Sequence, residues 1–374
     1  MFFGIWITVS ILYLLKLSPL FLYDFDEVIY VVGCGILLPF LIAWLFIWIY
    51  KELNNNSRLP TIKFNINIDI NKIEKRVKNI LYIWIIGTLI EIYFSGGIPI
   101  IWLYTGSEKT YMDFGLASIH GLLNSLISAI SIIYFWLFLK AGKKSHLIYS
   151  FLAITWAILA VTRQLIILNF IQIIVLFFLV RGVSWRMLFA GIISILTIII
   201  LFGVMGDTRS GSSAINSISY IENFPEWLPS GFLWVYVYMT SPINNLLYTA
   251  DLFPGLPDLG LSNTLSSLIP TIIRVKIFPN GVDFVPLVSE NLNMSSAYYG
   301  PYRDMGILGI ILYSFILSTL SCYYWYKDDN KYLLKYVVLS QCIIGSIFYN
   351  SLFFLPSIFQ IFWINYTFKK VNEE

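Results

Sequence analysis

Charge is what this 374-residue chain has least of. Only 12% of its residues are Asp, Glu, Lys or Arg, against 58% apolar. A soluble globular domain carries about 25% charge, so an ordinary soluble fold is excluded. Histidine is nearly missing, with His120 and His146 the two copies. The three cysteines, Cys34, Cys322 and Cys342, sit within or at the ends of apolar runs. Residues so few and so scattered indicate neither a zinc site nor a disulfide framework. No G-x-x-x-x-G-K-[ST] stretch occurs, which excludes a P-loop ATPase. No internal repeat of the transporter kind is visible. The opening MFFGIW lacks a basic n-region and a small-residue cleavage site, so it reads as a retained first span. The net charge of +3 is spread over separate loops and gives no reason to expect nucleic acid as a partner.

What is there is apolar sequence in span-length runs. A membrane-spanning helix needs roughly 20 apolar residues. The runs predict an all-α polytopic integral membrane protein, with spans at 2–19, 28–50, 79–95, 116–139, 147–162, 164–180, 187–205, 306–326, 335–351 and 353–368. The whole chain, 1–374, reads as one membrane-embedded domain. Residues 147–180 and 335–368 are each read as two spans, because one helix of that length, some 50 Å, is too long for a single crossing.

The basic residues orient these spans. With the N-terminus inside, the inside segments 51–78, 140–146, 181–186, 327–335 and the tail from 369 hold 17 of the 24 Lys and Arg. Every inside segment then obeys the positive-inside rule, and both termini are cytoplasmic. One outside loop dominates, 206–305. Within it, 230–248 and 261–278 are apolar but interrupted by Pro242 and Pro270. Proline in a helix interior costs about 3 kcal/mol or more. These stretches read as re-entrant or surface-lying helices, or as one extra hairpin that raises the count from ten spans to twelve.

Four arginines stand outside, against that bias: Arg163, Arg209, Arg274 and Arg303. Three of them lie at membrane edges. Arg163 caps the 147–180 hairpin, Arg209 follows the span 187–205 within GDTRSG, and Arg303 precedes the span 306–326. Arginine offers a planar, always-charged fork that fits phosphate oxygens bidentately. Such a set suits an anionic head group whose tail stays in the bilayer; the plainer reading is juxtamembrane arginine paired with nearby acids. Two polar–aromatic constellations suit a sugar. YVYMTSPINNL (236–246) holds Tyr238 and Asn244, and NMSSAYYGPYRDMGILG (293–309) holds Tyr298, Tyr299, Arg303 and Asp304. His120, near the outer end of its span, is a candidate proton carrier. Glu91 lies near the outer end of the span 79–95, just before SGGIPI. The acidic DFDE (24–27) follows the first span outside and is a weak match to a metal-binding D-x-D, so no metal or other cofactor is expected.

In that architecture, and in SGGIPI (95–100), YMTSPINNL and SSAYYGPYRDMGILG, the chain resembles the Wzy-type O-antigen polymerases of bacterial surface polysaccharide. The resemblance implies a GT-C-like helical fold in the bacterial inner membrane, with a large periplasmic loop and the active site facing the periplasm. It implies transfer of a growing glycan from undecaprenyl pyrophosphate onto an incoming lipid-linked oligosaccharide repeat unit. The implied partners are membrane lipids, those lipid-linked units and a chain-length regulator. On this reading Arg163, Arg209 and Arg303 stabilise the departing pyrophosphate, and one of the outer-loop carboxylates Asp207, Glu222, Glu226, Asp251, Asp258, Asp283, Glu290 and Asp304 serves as base, Asp304 and Glu290 flanking the second of those constellations. Arg274, Tyr238, Asn244, Tyr298, Tyr299 and His120 line the substrate site. The related O-antigen ligases place a functional histidine in the large outer loop, and no histidine occurs after His146. That departure favours a polymerase. A lipid-linked oligosaccharide flippase is the rival class; it accounts for the spans but not for a loop of this size.

Overall fold

The computed structural model describes residues 1–53, 69–210, 214–221, 224–225, 227–254, 260–279, 284–327 and 329–369. Every element among them is helical. In chain order these are α1 (Phe2–Leu14), α2 (Phe25–Leu53), α3 (Ile70–Ser95), α4 (Pro99–Thr105), α5 (Ile119–Ala141), α6 (Lys144–Leu159), α7 (Arg163–Arg181) and α8 (Trp185–Ser210). There follow α9 (Ala214–Ser219), α10 (Ser230–Leu252), α11 (Ser262–Leu265), α12 (Thr271–Ile277), α13 (Tyr299–Met305), α14 (Ile307–Trp325), α15 (Asn330–Gly345) and α16 (Leu355–Phe368).

The ends of these helices follow from local chemistry. Asp69 caps α3 by accepting from the Lys72 amide at 3.1 Å, and Asp329 caps α15 through the Lys331 amide at 2.9 Å. Such caps satisfy amides that a helix start leaves free. Asp24, of the acidic D-x-D, starts α2: its amide donates to Glu27 Oε2 at 3.0 Å, and its carboxylate pairs with Lys16. Pro270 separates α11 from α12. Pro242 does not interrupt its stretch, because α10 runs through it. Residues 240–247 around it are all buried, and that packing offsets the single backbone hydrogen bond a proline removes.

Five described segments reach 18 residues with the hydropathy of a membrane span: Phe25–Leu53, Ile70–Thr105, Ile119–Ala141, Gln164–Arg181 and Ile307–Trp325. Three shorter helices, Phe2–Leu14, Lys144–Leu159 and Trp185–Thr197, are also apolar. The chain is thus an all-α protein whose apolar helices suit a membrane, and length and composition alone support fewer crossings than the ten or twelve expected.

Two cores hold the bundle together. One gathers α3, α5, α6, α7 and α16 around α5. The other gathers α1, α2, α10, α13 and α14. Helix α15 joins them: Leu334, Val337 and Val338 enter the first, Leu339, Cys342 and Ile343 the second. Hydrogen bonds tie the connections into two ends. At one, Arg76 donates to Thr367 O at 3.0 Å, Lys143 reaches Glu74 at 3.4 Å, and Trp136 Nε1 donates to Asn330 Oδ1 at 3.3 Å. At the other lie Glu91, His120 and the connections carrying α11–α13. Helix α10 lies along this second end. Its Tyr236 hydroxyl accepts from the Leu17 amide, and its Asn244 donates to Leu20 O.

Helices α8 and α10 meet at bare backbone. A Cβ on Gly231 would stand 1.9 Å from the Ile199 carbonyl oxygen, and backbone cannot swing aside as a side chain does. Gly231→Ala is expected to destabilise the protein by about 1–3 kcal/mol, read as a lowered unfolding midpoint in detergent. Gly191→Ala, with open space around it, is expected to leave the midpoint unchanged.

Candidate functional site

The second end is built on two buried carboxylates. Glu91 sits one turn before the end of α3 with only 1% of its surface exposed. Its Oε1 accepts from the Leu116 amide at 3.1 Å, and its Oε2 lies 3.1 Å from His120 Nδ1. A carboxylate only accepts, so the proton of this contact sits on Nδ1. Nε2 has no partner among the described residues, and the His120 side chain keeps 28% of its surface exposed. Phe114 packs edge-on against the imidazole at 5.6 Å. Gly115, at φ +96°, lets the chain pass so close that a Cβ there would meet Nδ1 at 2.7 Å.

The chain around this pair is pinned as well. The Gly115 amide donates to Ser95 Oγ at 2.9 Å, and Lys109 donates to Ser95 O at 2.8 Å while lying over Trp102. Thr110 donates to Asp113 through both amide and hydroxyl, which holds that carboxyl below its ordinary range. Ser118, at the start of α5, accepts from the Ile272 amide at 3.4 Å. That contact seats α12, with Arg274 and Lys276, beside the turn bearing His120. Arg274 is half-buried and Lys276 exposed.

The other carboxylate, Asp304, is fully buried. Its Oδ1 accepts from the Asn263 amide at 3.1 Å and from Asn263 Nδ2 at 3.0 Å, and its Oδ2 accepts from the Thr264 amide at 2.7 Å. Thr264 O in turn accepts from Asn350 at 3.0 Å, and Asn350 Oδ1 accepts from the Phe353 amide at 3.0 Å. Asp304 therefore fixes α11 to α13 and, through Asn350, to the start of α16. Both its oxygens are engaged, so the structure places Asp304, expected as a base, among the groups that hold this end together. Arg303 beside it stacks on Phe253, with Cζ 3.6 Å from the ring centre.

Other expected residues also prove to be framework. Asn244 is buried, accepting from the Tyr13 hydroxyl and donating to Leu20 O, each at 2.9 Å. Tyr298 is buried between Trp6 and Tyr313 and its hydroxyl accepts from Ser314. Neither is presented to a ligand, because each already satisfies a buried polar neighbour. Tyr299 donates to Phe284 O at 2.9 Å. Tyr238 is half-buried and, with Ser241, faces residues 291–294 across a narrow gap. Glu290 is exposed and makes no hydrogen bond or ion pair with a described residue. Arg163 opens α7 and Arg209 lies at the end of α8, but their side chains fall outside the described set.

The structure thus brings together Glu91, His120 and the helix carrying Arg274. It does not bring Asn244 or Tyr298 to a surface. Three glutamines that no motif marked, Gln172, Gln341 and Gln360, meet inside the bundle. Their one sequence signal is an amide side chain within an otherwise apolar run. No protein-family model matches the chain, and neither curated proteins nor solved structures give a match.

Removing Asp304 strands three buried donors, each costing about 1–3 kcal/mol when unpaired. Asp304→Ala is expected to abolish folding or lower the unfolding midpoint severely, as seen by gel filtration and thermal unfolding in detergent. Glu290→Ala is expected to leave both unchanged. A stable Asp304→Ala protein lacking only activity would return Asp304 to the list of reacting groups.

Proposed function

We propose that the chain is a membrane glycosyltransferase that polymerises lipid-linked oligosaccharide repeat units, taking both donor and acceptor on undecaprenyl pyrophosphate. It sits in the bacterial inner membrane with ten crossings, or twelve if part of 206–305 forms a hairpin. Both termini are cytoplasmic and the His120 end faces the periplasm. The observation that carries this reading is the Glu91–His120 pair at one end of the bundle, with the cationic helix α12 held beside it.

The chemistry follows from those parts. An acceptor sugar hydroxyl attacks C1 of the donor sugar, and its proton passes to His120 Nε2. The C1–oxygen bond to the carrier breaks, and undecaprenyl pyrophosphate leaves with the bonding electrons. Arg274, Lys276 and the outer arginines Arg163, Arg209 and Arg303 stabilise the negative charge that develops there. Glu91 is a positioning residue that selects the His120 tautomer able to accept a proton.

This assignment of the base makes Glu91→Gln informative. Glutamine keeps the acceptor for the Leu116 amide but turns an N–H toward Nδ1. That favours the tautomer with the proton on Nε2, which cannot act as base. In a deletion strain, the wild-type gene is expected to restore a long-chain ladder, read on a gel of surface polysaccharide. Glu91→Gln and His120→Ala, at normal expression, are expected to leave a single repeat unit on the lipid A core, since loss of a general base slows transfer about 10²–10⁴-fold. Full ladders from both variants rule out this base. Accumulation of lipid-linked units in the inner leaflet of the deletion strain points instead to a flippase.

A further inference from the structure

Helix α1 is shorter than the helix it packs against. Its 13 residues rise about 20 Å, against roughly 30 Å of hydrocarbon in a bilayer. Its first turn meets α2 midway, where Phe2 stacks on Phe40 with ring centres 3.8 Å apart. Beyond its other end, Lys16 pairs with Asp24 at the start of α2. The half of α2 that follows Phe40 is therefore left uncovered by α1. A cavity of about 440 Å³ lies there between α2 and α14, lined chiefly by Phe3, Phe40, Trp44, Cys322, Trp325 and Tyr336. Ser321 also borders it, but its hydroxyl already donates to Leu317 O at 2.7 Å.

This groove runs toward a charged margin, at the end of the bundle away from His120. Trp44, Trp48 and Lys51 share one face of α2, and Trp48 stacks on Trp44 at 6.5 Å. Lys51 stands about 10 Å beyond Trp44 along the helix. Its Nζ lies 5.9 Å from the ring centre of Tyr326, the residue after Trp325. Lys327, Lys331 and Lys335 crown the same end of the α14–α15 hairpin, over Tyr323, Tyr332 and Tyr324. None of the four lysines forms an ion pair with a described residue. An aromatic ring attracts an ammonium but leaves its charge unneutralised. Among the described residues, the carboxylates beside them are the exposed Glu52 and Asp329, which caps α15.

We propose that this groove binds an anionic phospholipid of the surrounding bilayer, with one acyl chain against Trp44 and Trp325 and the phosphate at Lys51. Hydrocarbon is the occupant that matches an apolar groove on membrane-suited helices, because no water is there to fill it. At roughly 30 Å³ for each water-sized group, the cavity takes on the order of a dozen methylenes, most of one chain. Tail contact alone does not select among lipids, since every tail is equally apolar. The unneutralised lysines do select, because they draw an anionic head group far more strongly than a zwitterionic one. Groove and His120 lie at opposite ends of the bundle, so this site stands apart from the glycosyl-transfer reading.

The test uses purified full-length protein in detergent, with retained lipid counted by native mass spectrometry. The probes are phosphatidylglycerol, phosphatidylcholine with the same chains, and undecaprenyl phosphate. The wild type is expected to retain one phosphatidylglycerol, with a preference of about fivefold or more over phosphatidylcholine. Lys51→Gln is expected to weaken phosphatidylglycerol binding about fivefold and leave phosphatidylcholine unchanged. Leu41→Trp, which fills the groove from its half-exposed wall, is expected to weaken both about tenfold. Where Leu41→Trp fails to fold by gel filtration, Lys51→Gln decides. Equal retention of the two phospholipids by the wild type overturns the inference. So does a preference unchanged in the folded variants, which places the lipid elsewhere. Undecaprenyl phosphate held more tightly than phosphatidylglycerol also overturns it, and makes the groove a seat for the carrier.

Discussion

The carboxylate of Glu91, withdrawn from solvent at the end of an apolar helix, is the interaction on which the proposed reaction depends. A buried carboxylate is tolerable only where donors meet it. The Leu116 amide and His120 do so here. Meeting that need draws the connection after α4 back onto α3 and fixes the first turn of α5. Ser118 is placed by that turn, and with it the amide of Ile272 and the basic helix α12. One electrostatic requirement thus fixes the histidine turn on which the basic helix α12 is seated. Asp304 plays the parallel part for α11, α13 and α16, with no nitrogen base beside it. The two carboxylates are thus both buried but meet different partners.

How much of this is legible in the sequence depends on whether a signal is periodic or relational. Apolar runs announce helices because a spanning helix must be apolar along its length, and the runs at 28–50, 116–139 and 306–326 coincide with long apolar helices. The division of 147–180 into two helices is legible for the same reason: the length does not fit one crossing. Pro242 misled, since a proline marks a break only where surrounding packing is too weak to hold the helix through it. Partners are not legible. Asn244 and Tyr298 have the composition of a sugar site, yet an amide or phenol serves equally well to satisfy Tyr13 or Ser314 inside a core. Asp304 looked like a free acid because its three donors lie about forty residues away in the chain. The glutamine triad escaped notice because Gln172 and Gln341 stand 169 residues apart.

In hydrocarbon no water rescues an unpaired polar group, so buried polar side chains must be satisfied by one another or by what they bind. Much of the interior follows the first course. Ser131 donates to Ser150 O, Ser318 to Phe40 O, and Trp363 to Ser125.

The central claim is that transfer takes place at the His120 end, between two lipid-linked glycans, with no nucleotide sugar and no ATP. Its most direct test is reconstitution of the purified protein in liposomes with the native undecaprenyl-pyrophosphate-linked repeat unit as sole substrate. The account predicts a ladder of lipid-linked oligomers, with undecaprenyl pyrophosphate released in proportion to the bonds formed. Repeat units that remain monomeric, with no carrier released by a folded wild-type protein, would contradict it.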